Sequence, residues 1–217
     1  MQDDIHEEPA QYASPPCFMH ELSPEFRLDP VRPDAWSDVL RWRKAERKRL
    51  IDQRLSMSPD ERQARSDRIA AMLDLTIGRF AGRIIGTYWP FRGEPDLRNW
   101  GIRVIERGGR LALPVVIQQG WPLEYRIWSP GDPLERGVAG ILVPSRGPAV
   151  QPDVVVAPVV GFDKEHYRLG YGGGFFDRTL AVMRRKPLAI GVGYTSANVA
   201  TIYPQSHDIP MDVVVTD

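Results

Sequence analysis

Apolar positions recur at helical spacing in two successive stretches of the chain and then give way to short runs of β-branched residues. After Asp34, residues Trp36, Val39, Leu40, Leu50, Ile51 and Leu55 punctuate a segment otherwise rich in arginine and lysine, which predicts a long amphipathic helix. Ser58-Pro59-Asp60-Glu61 follows, with a capping serine, a proline in the first helical position and a glutamate three residues after the serine. It opens a second helix through Ile69, Met72 and Leu73. At Arg83 the pattern changes: IIGTYWP is short, β-branched and aromatic and ends in proline, so it reads as strand followed by loop. Asp96 is placed to cap a helix through Trp100, Val104 and Ile105 that stops at Gly108-Gly109, after which RLALPVVI resumes strand character. LEYRIW, ILVP, DVVVAPVV, LAIGVGY and DVVV are further strand candidates, and Phe176 to Arg185 is helical until Pro187 stops it. Val154 to Val160 is almost continuously apolar, as suits a central strand covered on both faces. Together these elements predict an α/β fold of three layers, with a largely parallel central sheet flanked by helices. Residues 1–33 carry clustered prolines and acids without an apolar period, so a proline-rich N-terminal arm is expected ahead of a single α/β domain over residues 34–217.

Composition narrows the partners. Twenty-eight basic and 28 acidic side chains cancel, removing the bulk field that a dedicated nucleic-acid binder presents to phosphates. The basic run from Arg41 to Arg54, interrupted by Trp42, carries no zinc-finger or RNP pattern, so no nucleic-acid partner is expected. Cys17 is the only cysteine, which excludes an intrachain disulfide, a Cys-rich zinc site and a CxxC redox pair. The opening MQDDIHEEPA lacks the basic start and apolar run of a secretory signal, and no stretch is long enough to span a bilayer. A cytoplasmic protein with no membrane partner is expected.

The chemistry concentrates in GFDKEHYRLGYGGGFFDR, residues 161–178, between a buried strand and a helix. In open α/β sheets ligands bind beyond the carboxyl ends of strands, and the free amides at a following helix N-terminus favour anions. Gly170, Gly172, Gly173 and Gly174 let backbone approach a phosphate chain, Arg168 adds a cation, and Asp177 brings a hard carboxylate suited to Mg2+. A plainer reading has a mobile glycine loop, Asp177 as a helix cap and Arg168 paired with Asp163 on the surface. Neither a Walker loop nor a dinucleotide fingerprint is present, so any phosphate site is of another kind.

The run RLGYGGGFFDR, preceded by GFD, resembles the signature of the 5-formyltetrahydrofolate cyclo-ligase family. In the same order, RKAERKRLIDQRLSMSPDER is similar to the family's N-terminal basic helix, YWPFRGEPD to its folate-contacting loop and YPQSHDIPMDVVVTD to its C-terminal end. The resemblance covers roughly residues 40–217 and implies ATP-dependent conversion of 5-formyltetrahydrofolate to 5,10-methenyltetrahydrofolate. ATP and a reduced folate are the implied small-molecule partners, Mg2+ the implied cofactor, and a monomer or weak homodimer the expected state. Phosphoryl transfer asks for positioning and charge stabilisation rather than a Ser or Cys nucleophile, and no G-x-S-x-G elbow occurs.

Carried over by position, the resemblance makes Arg168, Leu169, Gly170, Tyr171, Gly172, Gly173, Gly174, Phe175 and Phe176 the ATP-phosphate loop, with Tyr171 to Phe175 also bordering folate. Arg168 and Asp177 are the implied catalytic pair, and Asp177 and Asp208 the implied Mg2+ carboxylates. Glu94 matches the folate-binding glutamate, suited to the N–H donors of a pterin-type ring, with Trp89 lining the same pocket. Arg47 matches an arginine near substrate and nucleotide, while Arg43 and Lys44 fall where the family supplies a lysine toward the nucleotide. Without the resemblance, Arg43, Lys44 and Arg47 read as solvated charges, Trp89 as core, Glu94 as part of a turn and His207 as a structural neighbour of Asp208. Two departures stand out: Phe175-Phe176 replaces the family's tyrosine pair, and an arginine fork replaces an ammonium at position 43. The first leaves a non-catalytic folate- and nucleotide-binding protein of the same fold as the alternative.

Overall fold

The computed structural model describes residues 36–217, so the expected N-terminal arm lies outside the described residues. Helices α1 (Trp36–Ser56) and α2 (Pro59–Ile77) come first. Ser58 caps α2 as expected, its hydroxyl accepting from the Glu61 N–H at 3.1 Å. Strand β1 (Ile84–Gly86), helix α3 (Arg98–Glu106) and strand β2 (Arg110–Val115) form the anticipated βαβ unit, and β1 and β2 pair in parallel. The Asp96 carboxylate accepts from the Arg98 N–H at 3.0 Å at the start of α3. Strands β3 (Glu124–Trp128), β4 (Leu134–Arg136), β5 (Leu142–Pro144), β6 (Ala149–Val150) and β7 (Val154–Pro158) follow. A hairpin of β8 (Gly161–Phe162) and β9 (Arg168–Leu169) precedes helix α4 (Phe175–Val182), and β10 (Leu188–Val192) and β11 (Val213–Val215) complete the chain's elements.

Seven strands form one mixed sheet in the order β11-β10-β7-β1-β2-β3-β6, parallel from β11 to β2 and antiparallel at β3 and β6. Alternation along β7 explains its unbroken apolar run. Val154 and Val156 face a core shared with Ile69 and Leu73 of α2 and Trp100 and Val104 of α3, whereas Val155 and Ala157 face Met211 and the apolar side of α4. Helices therefore cover both faces of a largely parallel sheet.

Four expectations change in detail. ILVP leaves the main sheet and pairs with β4 as a separate antiparallel ribbon. Helix α4 ends at Val182, short of Arg185, because Met183 is already extended. Helix α1 buries only part of the apolar stripe: Val39, Leu50 and Ile51 are inside while Trp36, Leu40 and Leu55 are exposed. Two arginines, Arg43 and Arg54, take buried positions on the same helix. Among the described residues, no helix is long and apolar enough to cross a membrane.

Gly86 ends β1 directly under the sheet-end loops. A Cβ there would lie 2.8 Å from both Pro152 Cγ and Tyr125 Cε1, and Tyr125 is fully buried. Gly86→Ala is expected to cost about 1–3 kcal/mol through overpacking, read from the urea midpoint. An unchanged midpoint would mean that those two rings yield freely.

Candidate functional site

A cavity of about 480 Å³ opens beyond the carboxyl ends of β1, β2 and β7, where Tyr88, Val116 and Pro158 reach its floor. Its walls come from α1, the β1–α3 loop, the β9–α4 loop, the β4–β5 ribbon and the stretch before β11. Arg43, Arg47, Trp89, Glu94, Asp208 and the whole run from Arg168 to Asp177 line it. Lys44 does not: it is exposed and absent from the cavity wall, because one step along α1 from the buried Arg43 turns a side chain toward water.

The glycine turn is held by two arginines. Arg47 Nε donates to the Gly170 carbonyl at 2.7 Å, and its guanidinium carbon would lie 3.4 Å from a Cβ at Gly172, whose φ is +94°. The positive φ there favours glycine, and the guanidinium lies at ordinary contact distance. Arg178 donates to the Gly173 carbonyl from the other side, and Gly174, at φ +63°, is the residue from which α4 starts. The first amides of α4 have no partner within the helix, so the turn ends on unsatisfied donors and a positive dipole end beside the cavity. The terminal nitrogens of Arg47 have no partner among the described residues. Burial first, and the nearby Arg43 charge second, lower the Arg47 pKa, with Asp208 opposing, so a bound anion would relieve this cation.

Two arginine–carboxylate pairs flank the turn. Arg168 Nη2 donates to Asp177 Oδ2 at 2.8 Å, and Asp177 Oδ1 accepts from the Ile209 N–H at 3.2 Å. Arg168 is buried, not on the surface, and its Nε has no partner among the described residues. Asp163, its competitor partner in the plainer sequence reading, is instead bonded to the amides of Tyr167 and Ile202 at 3.0 Å each. Arg43 grips Asp208 through both terminal nitrogens, at 2.5 and 3.3 Å, while donating to the carbonyls of Ile202 and Tyr203 at 3.0 and 2.9 Å. Burial raises the Asp208 pKa, but the hydrogen bonds from Arg43 and the Gln205 amide and the Arg43 charge outweigh it, leaving this carboxyl below its ordinary value. Phe175 and Phe176 place their rings against Arg178 and Arg168, with guanidinium carbons 5.4 and 4.9 Å from the ring centres. These contacts need a ring face and no hydroxyl.

Among the described residues, no three metal-ligating side chains converge. Asp177 and Asp208 do share the cavity with the phosphate-type turn, and Mg2+ is commonly held by one or two carboxylates completed by phosphate oxygens and water. Both are held by arginines in the ligand-free chain, Asp177 by Arg168 and Asp208 by Arg43, so they are the residues that could hold a magnesium ion on exchanging those partners.

On the opposite wall Glu94 is buried, its Oε2 accepting from the Phe91 N–H at 3.0 Å. Burial raises its pKa to about 7, although Arg54, the Phe91 amide and Tyr171 all pull it down. Trp89 stands beside it, braced edge-on by Trp128 at 5.8 Å and covered by Arg98 at 5.5 Å. Arg54 was not singled out from the sequence. It is buried 3.9 Å from Glu94 and bonded to the Tyr171 hydroxyl. The signal was present in the spacing: Arg43, Arg47, Leu50 and Arg54 follow i, i+4, i+7, i+11, one stripe of a helix.

The 5-formyltetrahydrofolate cyclo-ligase family model matches residues 39–217. The chain is 33% identical over 140 residues to the Haemophilus influenzae 5-formyltetrahydrofolate cyclo-ligase, spanning 60% of this chain and 74% of that one. It is 26% identical over 174 residues to the Escherichia coli protein of the same name, covering 77% and 96% of the two. The solution structure of the Aquifex aeolicus 5,10-methenyltetrahydrofolate synthetase superposes with a TM-score of 0.67 at 30% identity, covering 80% of this chain and 88% of that one.

Glu94 leaves a mark on stability. In the folded chain it holds its proton to about pH 7, whereas an unperturbed carboxyl ionises near 4.5, so the unfolded state loses its proton first as pH rises. Stability contributed at this position therefore falls between those two values. Relative to Glu94→Gln, the wild type is expected to lose about 3 kcal/mol across that interval, followed by urea denaturation at a series of pH values. Parallel pH profiles for the two proteins would rule out titration of Glu94 in that window.

Proposed function

The chain belongs to the 5-formyltetrahydrofolate cyclo-ligase family, and on that footing we propose that it converts 5-formyltetrahydrofolate to 5,10-methenyltetrahydrofolate while splitting ATP to ADP and phosphate. One observation carries the reading: a single cavity sets a buried carboxylate and an indole on one wall and a glycine turn with two guanidinium groups on another. A pterin-type ring and a triphosphate can thus meet within one enclosed space.

The formyl oxygen is a poor leaving group. It attacks the γ-phosphorus, the bond from that phosphorus to the bridging oxygen breaks, and ADP departs with the electron pair. The resulting iminium phosphate carries an electrophilic carbon, which the neighbouring amine nitrogen of the folate attacks; that nitrogen gives up its proton to solvent, the carbon–oxygen bond breaks and phosphate leaves. Such transfer requires alignment and stabilisation of spread negative charge more than covalent help from the protein.

Glu94 accepts from the N–H donors of the pterin ring and ionises as it does so, because those donors stabilise the charged form that burial disfavours. Trp89 packs against the ring. Arg47 and the free amides of α4 bind phosphate oxygens, and Arg168, with its unpartnered Nε, offers a further donor to the transferred group. Mg2+, when bound, would supply positive charge to the triphosphate, and Asp177 and Asp208 are the residues that would hold it. Phe175 and Phe176 keep their two arginines in place through ring faces, so the missing hydroxyls do not argue for lost turnover.

Full-length protein with Mg2+-ATP and 5-formyltetrahydrofolate is expected to generate the near-ultraviolet absorbance of the methenyl product with one ADP per product. Tight binding of both substrates with neither signal would favour the non-catalytic reading instead. Asp177→Asn and Asp208→Asn are expected to lower turnover by about tenfold or more and to raise the Mg2+ concentration needed for half-maximal rate. Wild-type Mg2+ dependence in both would remove them from the metal site.

Folate affinity should rise with pH until about 7 and then level off, since binding takes up the ionised form of Glu94. Glu94→Gln should flatten that curve and weaken folate binding more than ATP binding. A curve of unchanged shape in the variant would place the titrating group elsewhere.

A further inference from the structure

Arg54 belongs to none of the binding elements described so far, yet its guanidinium touches both walls of the cavity. It is 4% exposed, in the last turn of α1. Its Nε donates to the Arg92 carbonyl at 2.8 Å, and Nη2 lies 3.5 Å from the Phe91 carbonyl. Arg92 and Gly93 both have positive φ, 47° and 77°, so the turn that presents Glu94 is one an ordinary chain resists, and Arg54 closes it. Gly93 packs against the same helix: a Cβ there would lie 3.2 Å from Leu55 and 3.6 Å from Arg54 Cγ. The same Nη2 then serves two further groups. It donates to the hydroxyl of Tyr171, at the start of the glycine turn, and stands 3.9 Å from Glu94 Oε1. Tyr171 in turn leans on Phe91, with ring centres 5.6 Å apart.

We propose that Arg54 is a positioning residue that ties the Glu94 wall to the glycine turn, holding the first in its binding charge state and the second in its closed geometry through one guanidinium. This deepens the folate-and-ATP reading of the cavity and rests on it. The titratable and charged groups around Glu94 are Arg54 from α1, Tyr88 from the end of β1 and Tyr171 from the glycine turn; the Phe91 amide also donates to it. Only Arg54 brings positive charge. A planar fork is needed, because a lysine ammonium reaches a single cluster of acceptors where the guanidinium reaches a carbonyl, a hydroxyl and a carboxylate together.

The test separates charge from packing. Arg54→Gln keeps an amide donor for the turn carbonyl and removes the charge; Arg54→Lys keeps the charge and loses the fork. In the full-length, ligand-free protein, carboxyl-carbon NMR should find the Glu94 midpoint near 7 in the wild type. It should move up by a unit or more, about tenfold in proton affinity, in Arg54→Gln, and stay close to the wild type in Arg54→Lys. 5-Formyltetrahydrofolate binding by Arg54→Gln should then be about tenfold weaker at neutral pH, with the deficit shrinking as pH rises. A structural role alone would give a pH-independent deficit and an unmoved midpoint, and either result overturns the proposal. Should Arg54→Gln fail to fold, Arg54→Lys and Tyr171→Phe still decide it: both should speed amide exchange at Gly172 to Gly174 by about tenfold, with the Glu94 midpoint held in Arg54→Lys and raised in Tyr171→Phe, which loses a hydrogen bond that lowers it. Unchanged exchange would break the link between the walls. A wild type that binds no folate while Arg54→Gln still moves the midpoint would defeat the proposed function and leave this coupling standing.

Discussion

Helix α1 carries three arginines in one stripe, and each guanidinium finds backbone carbonyls of a different distant segment: Ile202 and Tyr203 for Arg43, Gly170 for Arg47, Arg92 for Arg54. The cavity exists because these contacts hold three loops and a helix at fixed separations. A neutral helix could pack on the sheet end through Leu50 and Ile51 alone, but it would leave the carbonyls of strained turns without donors. Breaking a buried, bonded guanidinium typically costs several kcal/mol, because the partner groups remain buried without it.

The charge arrangement follows from the same constraint. Arg43 and Arg168 are each neutralised by an aspartate, so the site is stable without a ligand, while Arg47 retains donors with no carboxylate of its own. Net attraction for an anion is thereby concentrated at the glycine turn, where the backbone amides of α4 already point. The opposite wall behaves differently: there a carboxylate is held near neutrality by burial, opposed by one neighbouring cation. The two walls thus favour different ligand chemistry, negatively charged hydrogen-bond acceptors on one side and an N–H-rich ring on the other.

Much of this was legible in the chain itself, for reasons that can be named. The continuous apolar run at Val154 to Val160 reads as a doubly covered strand because both of its faces are indeed packed, and Ser58 with Glu61 reads as a helix start because the cap depends on local bonds alone. The glycine turn was visible because the positive φ at positions 172 and 174 favours glycine. What escaped depends on partners remote in sequence. Whether ILVP joins the main sheet or a side ribbon is decided by Leu134 to Arg136, whose own strand character is weak. The β8–β9 hairpin is two residues a side, below the length at which any period shows. That Lys44 faces water while Arg54 is buried did not show in the chain, because composition treats every cation on a basic helix alike, and burial does not. Their distinction lay in angular position around α1, which places one toward water and the other under a folded turn.

The bond from Arg43 to Ile202 spans 159 residues of chain. During synthesis, the helix that anchors the site emerges long before the last segment it must grip, and until then the Arg43 guanidinium lacks its carbonyl and carboxylate partners. The sheet strands between can pair progressively as they appear, whereas the pocket is complete only when residues 202–208 arrive. Ligand recognition is consequently among the last properties the nascent polypeptide acquires, and anything that delays or intercepts that final segment yields a protein whose sheet lacks only its β11 edge but whose mouth is unfinished.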